Sequence, residues 1–104
     1  MIIKLEKVKV QSRKAEEAIN ITPQVDELVA KSGVINGLVN VMTCHTSSGL
    51  LVTEGLPCLE EDILTHFARL LPKDENYHHR SHLEFDGRVG FNVETHLRSI
   101  LGGI

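Results

Sequence analysis

The junction between an apolar run at residues 38–44 and the histidine that follows it constrains this chain more than any other feature. The run carries apolar residues in both alternating phases, which is typical of a strand covered on both faces. The next segment, residues 45–50, reads His-Thr-Ser-Ser-Gly-Leu and places an imidazole and three hydroxyls where the strand is expected to end. The sequence therefore predicts a polar site at the end of a buried strand.

The wider hydrophobic pattern predicts an α+β domain with a mainly antiparallel sheet and two to three helices. Besides residues 38–44, the predicted strands are residues 2–11 with a bulge near Lys7, residues 18–21 and residues 50–53. The predicted helices are residues 23–32, 57–71 and 92–101.

Prolines and glycines define the ends of the first two helices. Thr22-Pro23 combines an N-cap hydroxyl with a proline at the first helical position. Gly33 can take the left-handed conformation that ends a helix. Pro57 opens the second helix and Pro72 stops it.

Apolar spacing defines the buried face of the second and third helices. The second helix is expected to bury Leu59, Ile63, Phe67 and Leu70. The third is expected to bury Val93, Leu97, Ile100 and Leu101, with Glu94 and Arg98 paired on its outer face. Between them, residues 73–90 read as a long polar loop that contains His78, His79 and His82.

Length and composition limit the class of protein. A chain of 104 residues with 41% apolar and 24% charged residues is expected to form one soluble domain. Its net charge of −3 argues against nucleic-acid binding, which needs a basic patch. No apolar run reaches the length of a membrane span and the N-terminus does not resemble a signal peptide, so we predict a cytoplasmic protein that binds no membrane. Cys44 and Cys58 lack a C-x-x-C spacing and are expected to be reduced thiols in or near the core.

Three histidines and two acids make a candidate metal site. His45, His79 and His96, with Glu54 and Asp62 nearby, could hold a divalent cation and leave one position open. The alternative is structural: a histidine at a strand end is commonly hydrogen-bonded within the protein, and the hydroxyls of residues 46–48 are common turn formers. No local ligand spacing such as H-E-x-x-H is present, so spacing alone favours the structural interpretation.

Several motifs together resemble the YjbQ family, whose members are described as secondary thiamine-phosphate synthases. The resemblance covers nearly the whole chain and is carried by His45-Thr46-Ser47-Ser48-Gly49-Leu50, by Tyr77-His78-His79 and by Asn92 with His96-Leu97. It implies a metal site of His45, His79 and His96 and catalytic acids at Glu54 and Asp62. It also implies substrate contacts from Thr46, Ser47, Ser48 and Asn92, whereas His66, His78 and His82 match no family position.

The chain also departs from the family pattern. Family members continue past the position of Gly102-Gly103 with further strands, so residues 1–104 are predicted to be a single YjbQ-like domain that is short at its C-terminal end. Val52-Thr53-Glu54 stands where the family tends to show Ile-Asn-Glu, which replaces an asparagine beside the acid with a smaller hydroxyl.

The resemblance implies an enzyme that joins hydroxymethylpyrimidine diphosphate to thiazole phosphate, with the thiazole nitrogen displacing diphosphate. Imidazole ligands suit zinc or a similar transition ion better than magnesium. Two other functions stay open: a metal-dependent hydrolase of a small phosphorylated substrate, and a non-enzymatic trimeric metal-binding module. The resemblance further implies a homotrimer.

Overall fold

The computed structural model describes residues 1–73, 77 and 93–103, and within these residues it contains three helices. They are α1 (Thr22–Ser32), α2 (Pro57–Leu70) and α3 (Val93–Gly102). The chain forms two compact units, Met1–Asn40, which contains α1, and Val41–Ile104, which contains α2 and α3. In the described part of the chain, none of the helices is both long enough and apolar enough to cross a membrane.

Helix α1 forms where the sequence predicts it, although its N-terminal cap differs. Ile21 is the N-cap residue, and the side-chain oxygen of Asn20 accepts a hydrogen bond from the Thr22 N–H at 2.9 Å. Thr22 is therefore the first helical residue and not the cap, and Asn20 satisfies one of the unpaired N–H groups of the first turn. At the other end Gly33 takes the left-handed conformation, with φ 73°, as predicted.

One ion pair lies on the exposed face of α1. Lys31 Nζ lies 2.6 Å from Glu27 Oε1, four residues earlier in the helix. The hydrogen bond and charge of Lys31 hold the pKa of Glu27 below its ordinary value, and Glu27 in turn raises the pKa of Lys31. Both side chains are largely exposed, so the pair contributes little to stability.

Helix α2 begins at Pro57 and ends at Leu70, two residues before Pro72. Pro57 is the first helical residue, and Leu56 before it is extended, as the residue preceding a proline prefers. The Leu71 N–H donates to the Phe67 carbonyl at 2.9 Å, and Pro72 follows. Leu59, Ile63 and Phe67 of the predicted apolar face are partly buried, whereas Leu70 is exposed.

Helix α3 matches its predicted position within one residue at each end, but its buried face differs from the prediction. Val93 is buried as expected, and Glu94 is only 5% exposed, so this carboxylate does not lie on an outer face. Ile100 and Leu101 are exposed instead of buried. The apolar spacing identified the helix correctly and its inward side in part, since Leu97 is partly buried as well.

The predicted sheet is wrong for the described residues. Residues 2–11, 18–21, 38–44 and 50–53 contain no strand, so a mainly antiparallel α+β fold does not describe this structure. A strand requires a neighbouring segment that accepts and donates backbone hydrogen bonds, and an apolar run cannot specify that neighbour. Leu38 and Val39 are exposed here, although the sequence pattern requires cover on both sides.

The prediction for the two cysteines is correct in part. Cys44 and Cys58 are free thiols as expected, but both are exposed and not in the core.

Most of the predicted loop at residues 73–90 lies outside the described residues, including His78, His79 and His82. Tyr77 is described, and its hydroxyl donates to the Pro72 carbonyl at 2.8 Å, close after the end of α2.

Candidate functional site

The histidine segment forms a tight turn at residues 45–48. The Ser48 N–H donates to the His45 carbonyl at 3.4 Å, and the Ser47 N–H donates to His45 Nδ1 at 3.0 Å. The Ser48 hydroxyl contacts the same His45 carbonyl at 3.3 Å and is also hydrogen-bonded to the Thr43 hydroxyl. We call residues 45–50 the histidine turn. The Ser48 hydroxyl therefore has the turn-forming role that the sequence analysis gave as an alternative.

The histidine turn docks on α3 through one backbone carbonyl. The Thr46 oxygen accepts a hydrogen bond from Ser99 Oγ at 2.8 Å and another from His96 Nδ1 at 3.2 Å. A carbonyl oxygen has two lone pairs and can accept both bonds. These contacts connect residues 53 and 50 positions apart in the chain, so they fix the turn to a distant helix.

The other end of the histidine turn packs against the C-terminus of α3. The Leu50 N–H donates to the Gly103 carbonyl at 3.1 Å. A Cβ atom on Gly49 would lie 2.8 Å from the Ser99 carbonyl oxygen and 3.0 Å from that of Gly103. These atoms belong to the backbone and cannot rotate away, so only glycine allows this approach.

The hydrogen bonds place His45 and His96 in opposite tautomers. The Thr46 carbonyl can only accept, so His96 Nδ1 carries a proton and the lone pair of the neutral ring is on Nε2. The Ser47 N–H can only donate, so His45 Nδ1 holds the lone pair and Nε2 carries the proton. His96 is therefore arranged as an acceptor at Nε2, and His45 as a donor.

This difference bears on metal binding. A metal-binding imidazole commonly donates its second ring N–H to a carboxylate or a backbone carbonyl, and His96 has this arrangement. His45 would have to exchange its tautomer and give up the Ser47 hydrogen bond before Nε2 could bind a cation. His96 thus has the tautomer typical of a metal-binding imidazole, whereas His45 as placed fits the recognition of an anionic oxygen.

A concavity lies beside this contact. It has a volume of about 310 Å³ and is lined by Thr46, His96, Ser99 and Ile100. Ile100 is 75% exposed and provides an apolar surface one helical turn from His96. The space is at the lower limit of ordinary small-molecule sites, so it can take part of a ligand.

The two predicted catalytic acids lie on exposed surfaces. Glu54 follows Thr53, whose hydroxyl accepts the Gly55 N–H at 3.1 Å, and Asp62 is on α2. Among the described residues, no three of the histidine, cysteine, aspartate or glutamate side chains gather closely enough to hold a metal ion. His79 and Asn92 lie outside the described residues, so the complete three-histidine set and the substrate contact of Asn92 stay predictions.

Sequence reasoning missed Ser99. Ser99 follows His96 by three positions, and residues three apart share one face of a helix. That spacing was the available signal, but it gained meaning only when the structure placed both side chains on the same carbonyl.

Comparison with known proteins identifies the family. The family model described as UPF0047 protein YjbQ-like matches residues 6–104, so the chain belongs to the YjbQ family, as the motifs predicted. A UPF0047 protein of Methanocaldococcus jannaschii is 30% identical over 99% of this chain and 70% of the relative. A UPF0047 protein of Archaeoglobus fulgidus is 36% identical over 89% of this chain and 66% of the relative.

A third relative is matched over a smaller share of both chains. A UPF0047 protein of Methanothermobacter thermautotrophicus is 31% identical over 84% of this chain and 56% of the relative. The chain therefore spans between 56% and 70% of the length of these three relatives. No solved structure matches the chain significantly.

Proposed function

We propose that the histidine turn and α3 form a site for a small phosphorylated substrate, and that the chain has thiamine-phosphate synthase-like activity. The single observation that carries this proposal is the shared Thr46 carbonyl, which brings a hydroxyl-rich turn and an oriented imidazole together. Membership of the YjbQ family is consistent with the residue assignments taken from the motif resemblance.

The proposed reaction joins hydroxymethylpyrimidine diphosphate and thiazole phosphate. The thiazole nitrogen forms a bond to the pyrimidine methylene carbon, and the bond from that carbon to the diphosphate oxygen breaks. The diphosphate leaves with its electron pair, so a catalyst must stabilise negative charge on that oxygen and orient the nucleophile.

The histidine turn supplies donors for this charge. His45 Nε2–H is the donor end of that ring, and the hydroxyls of Thr46 and Ser47 belong to the same turn. The Ser48 hydroxyl donates to the His45 carbonyl and is also hydrogen-bonded to the Thr43 hydroxyl, which supports a role in holding the turn. We therefore assign direct substrate contact to His45, Thr46 and Ser47, with Asn92 as a further contact from the family resemblance.

We propose that a divalent ion, zinc or a similar transition ion, binds at His96 together with His79, the partner that the resemblance supplies. A bound cation would offset the negative charge of the diphosphate. The Nδ1–H bond to the Thr46 carbonyl fixes the orientation of His96 for this role. Glu54 and Asp62 would move a proton or orient the substrate.

Incubating the purified protein with both substrates, with and without a chelator, tests the proposal. Thiamine phosphate, detected by chromatography, should form in the presence of metal and disappear with chelator. Glu54→Gln should abolish product formation, and Ser47→Ala should reduce it. Ser32→Ala is the control and should leave product formation unchanged, because the Ser32 hydroxyl contacts the Val29 carbonyl and the Val34 N–H at the end of α1.

The same assay separates the alternative functions. Release of phosphate from hydroxymethylpyrimidine diphosphate without thiamine phosphate would indicate the hydrolase. Absence of both products above the metal-only background would refute an enzymatic role with these substrates and favour the binding module.

A further inference from the structure

We propose that Ser99 is a positioning residue of this site. Its hydroxyl holds the Thr46 carbonyl in place, and the carbonyl in turn keeps His96 in the tautomer with a proton on Nδ1. The effect on catalysis rests on the proposed function, whereas the effect on the His96 tautomer does not.

The distances support this order of dependence. Ser99 Oγ lies 2.8 Å from the Thr46 oxygen, and His96 Nδ1 lies 3.2 Å from the same oxygen. The Ser99 contact has the usual length for a hydroxyl donor, whereas the His96 contact is at the long limit for an N–H donor. The two tautomers of a neutral histidine exchange, and a hydrogen bond from one ring nitrogen shifts the equilibrium toward the tautomer that it requires.

The alternative is that Ser99 is an ordinary helical serine. Serine often bonds back to a carbonyl three or four residues earlier, and Ser99 Oγ does lie 3.0 Å from the His96 carbonyl. A hydroxyl has one proton, so the two carbonyls share it or compete for it. The contact with Thr46 is the shorter of the two and reaches a residue 53 positions away, which a purely helical role does not require.

The rest of the histidine turn has its own attachment to α3. The Leu50 N–H bond to Gly103 and the close approach of Gly49 to the Ser99 backbone do not involve the Ser99 hydroxyl. Removing that hydroxyl should therefore leave the turn docked at its Leu50 end. The change should be confined to the Thr46 carbonyl and to His96.

The test compares Ser99→Ala with Ser99→Thr, which keeps a hydroxyl, and uses Ser32→Ala as the matched control. Ser32 is also a helical serine whose hydroxyl lies 2.7 Å from a carbonyl three residues earlier. The main readout is the set of ¹⁵N chemical shifts of the His96 ring, assigned with His96→Gln. Circular dichroism checks that each variant is folded.

The original protein and Ser32→Ala should show His96 with Nδ1 protonated. Ser99→Ala should show a mixture of tautomers, and Ser99→Thr should restore the single form. If Ser99→Ala does not fold, Ser99→Cys takes its place in the comparison. Cysteine is close to serine in size, and its thiol is a weaker hydrogen-bond donor. An unchanged single tautomer in the folded hydroxyl-free or thiol variant would overturn the proposal.

The kinetic readout separates this inference from the proposed function. Ser99→Ala should lower kcat roughly two- to tenfold, the effect of losing one hydrogen bond, with a smaller change in KM. A tautomer mixture in a protein that has no thiamine-phosphate activity in any form would support the positioning role and overturn the proposed function.

Discussion

Arg98 on α3 donates two hydrogen bonds to the backbone carbonyl of Leu71, the residue that follows the last turn of α2. Nε lies 3.0 Å and Nη2 lies 2.7 Å from that oxygen. The last carbonyls of a helix have no partners within the helix, and a cation near them interacts favourably with the helix dipole. Arg98 thus caps α2 and at the same time connects α3 to it.

Replacing Arg98 should destabilise this part of the chain. We expect Arg98→Ala to lower the free energy of unfolding by about 1 to 2 kcal/mol, since it removes charged hydrogen bonds from a partly buried carbonyl. Arg98→Lys should recover part of the loss, because it keeps the charge without the planar pair of donors. Urea unfolding measures the change, with Arg13→Ala, an exposed arginine outside the three helices, as control. Equal stability of the two alanine variants would contradict the capping role.

Gly49→Ala should displace the histidine turn from α3. The new Cβ would meet the Ser99 carbonyl oxygen at 2.8 Å, and the backbone has to move to relieve the contact. We expect a loss of about 1 to 3 kcal/mol in the free energy of unfolding. Gly37→Ala is the control, because its Cβ would meet only a side-chain methyl of Val34, which can move. Similar stability of both variants would show that the close approach does not matter.

Metal binding should depend unequally on the histidines. His96→Ala and His79→Ala should each lower zinc affinity by more than the roughly tenfold that loss of a residue supporting a ligand costs, because each removes a proposed ligand itself. His45→Ala should have a smaller effect, because its Nε2 carries a proton in this arrangement. Zinc titration by calorimetry measures these affinities, with His66→Ala and His82→Ala as controls. Equal affinity in all five variants would rule out the site.

We expect the chain to self-associate as a trimer, as the family resemblance implies. Apolar side chains such as Leu5 and Leu38 are exposed, and exposed apolar surface of this kind favours association. Light scattering at micromolar concentration should give about three times the chain mass of 11.6 kDa. Leu38→Asp should weaken the assembly more than Gln24→Asp on exposed α1 does, and a monomer under these conditions would refute the expectation.

Local signals predicted the helices and failed for the sheet. Pro57 and Gly33 specify helix ends through their own backbone geometry, so the sequence located α1 and α2 within one residue at each end. Strand formation at residues 38–44 depends on a partner segment that no local pattern names. The buried side of α3 could not be predicted in full from the sequence either, because burial of Glu94 depends on the residues that surround the helix.

The candidate site was predictable to the level of residue type. The motif identified His45 and His96, and the turn-forming tendency of Ser48 was recognised as an alternative use of its hydroxyl. No sequence pattern predicted that the Thr46 backbone carbonyl would accept the hydrogen bonds from His96 and Ser99. Tautomers follow from such backbone contacts, so the different roles of the two rings required a structure.

The length of chain between Thr46 and Ser99 sets an entropic cost for assembling the site. Closing a loop of 53 residues costs roughly 3.5 kcal/mol in chain entropy, and the contacts across it have to exceed that cost. The histidine turn therefore contacts His96 only while α3 is folded and docked. Any ligand that contacts both His45 and His96 will protect α3 from unfolding through mass action, and slower amide exchange along α3 would reveal such a ligand before its chemistry is known.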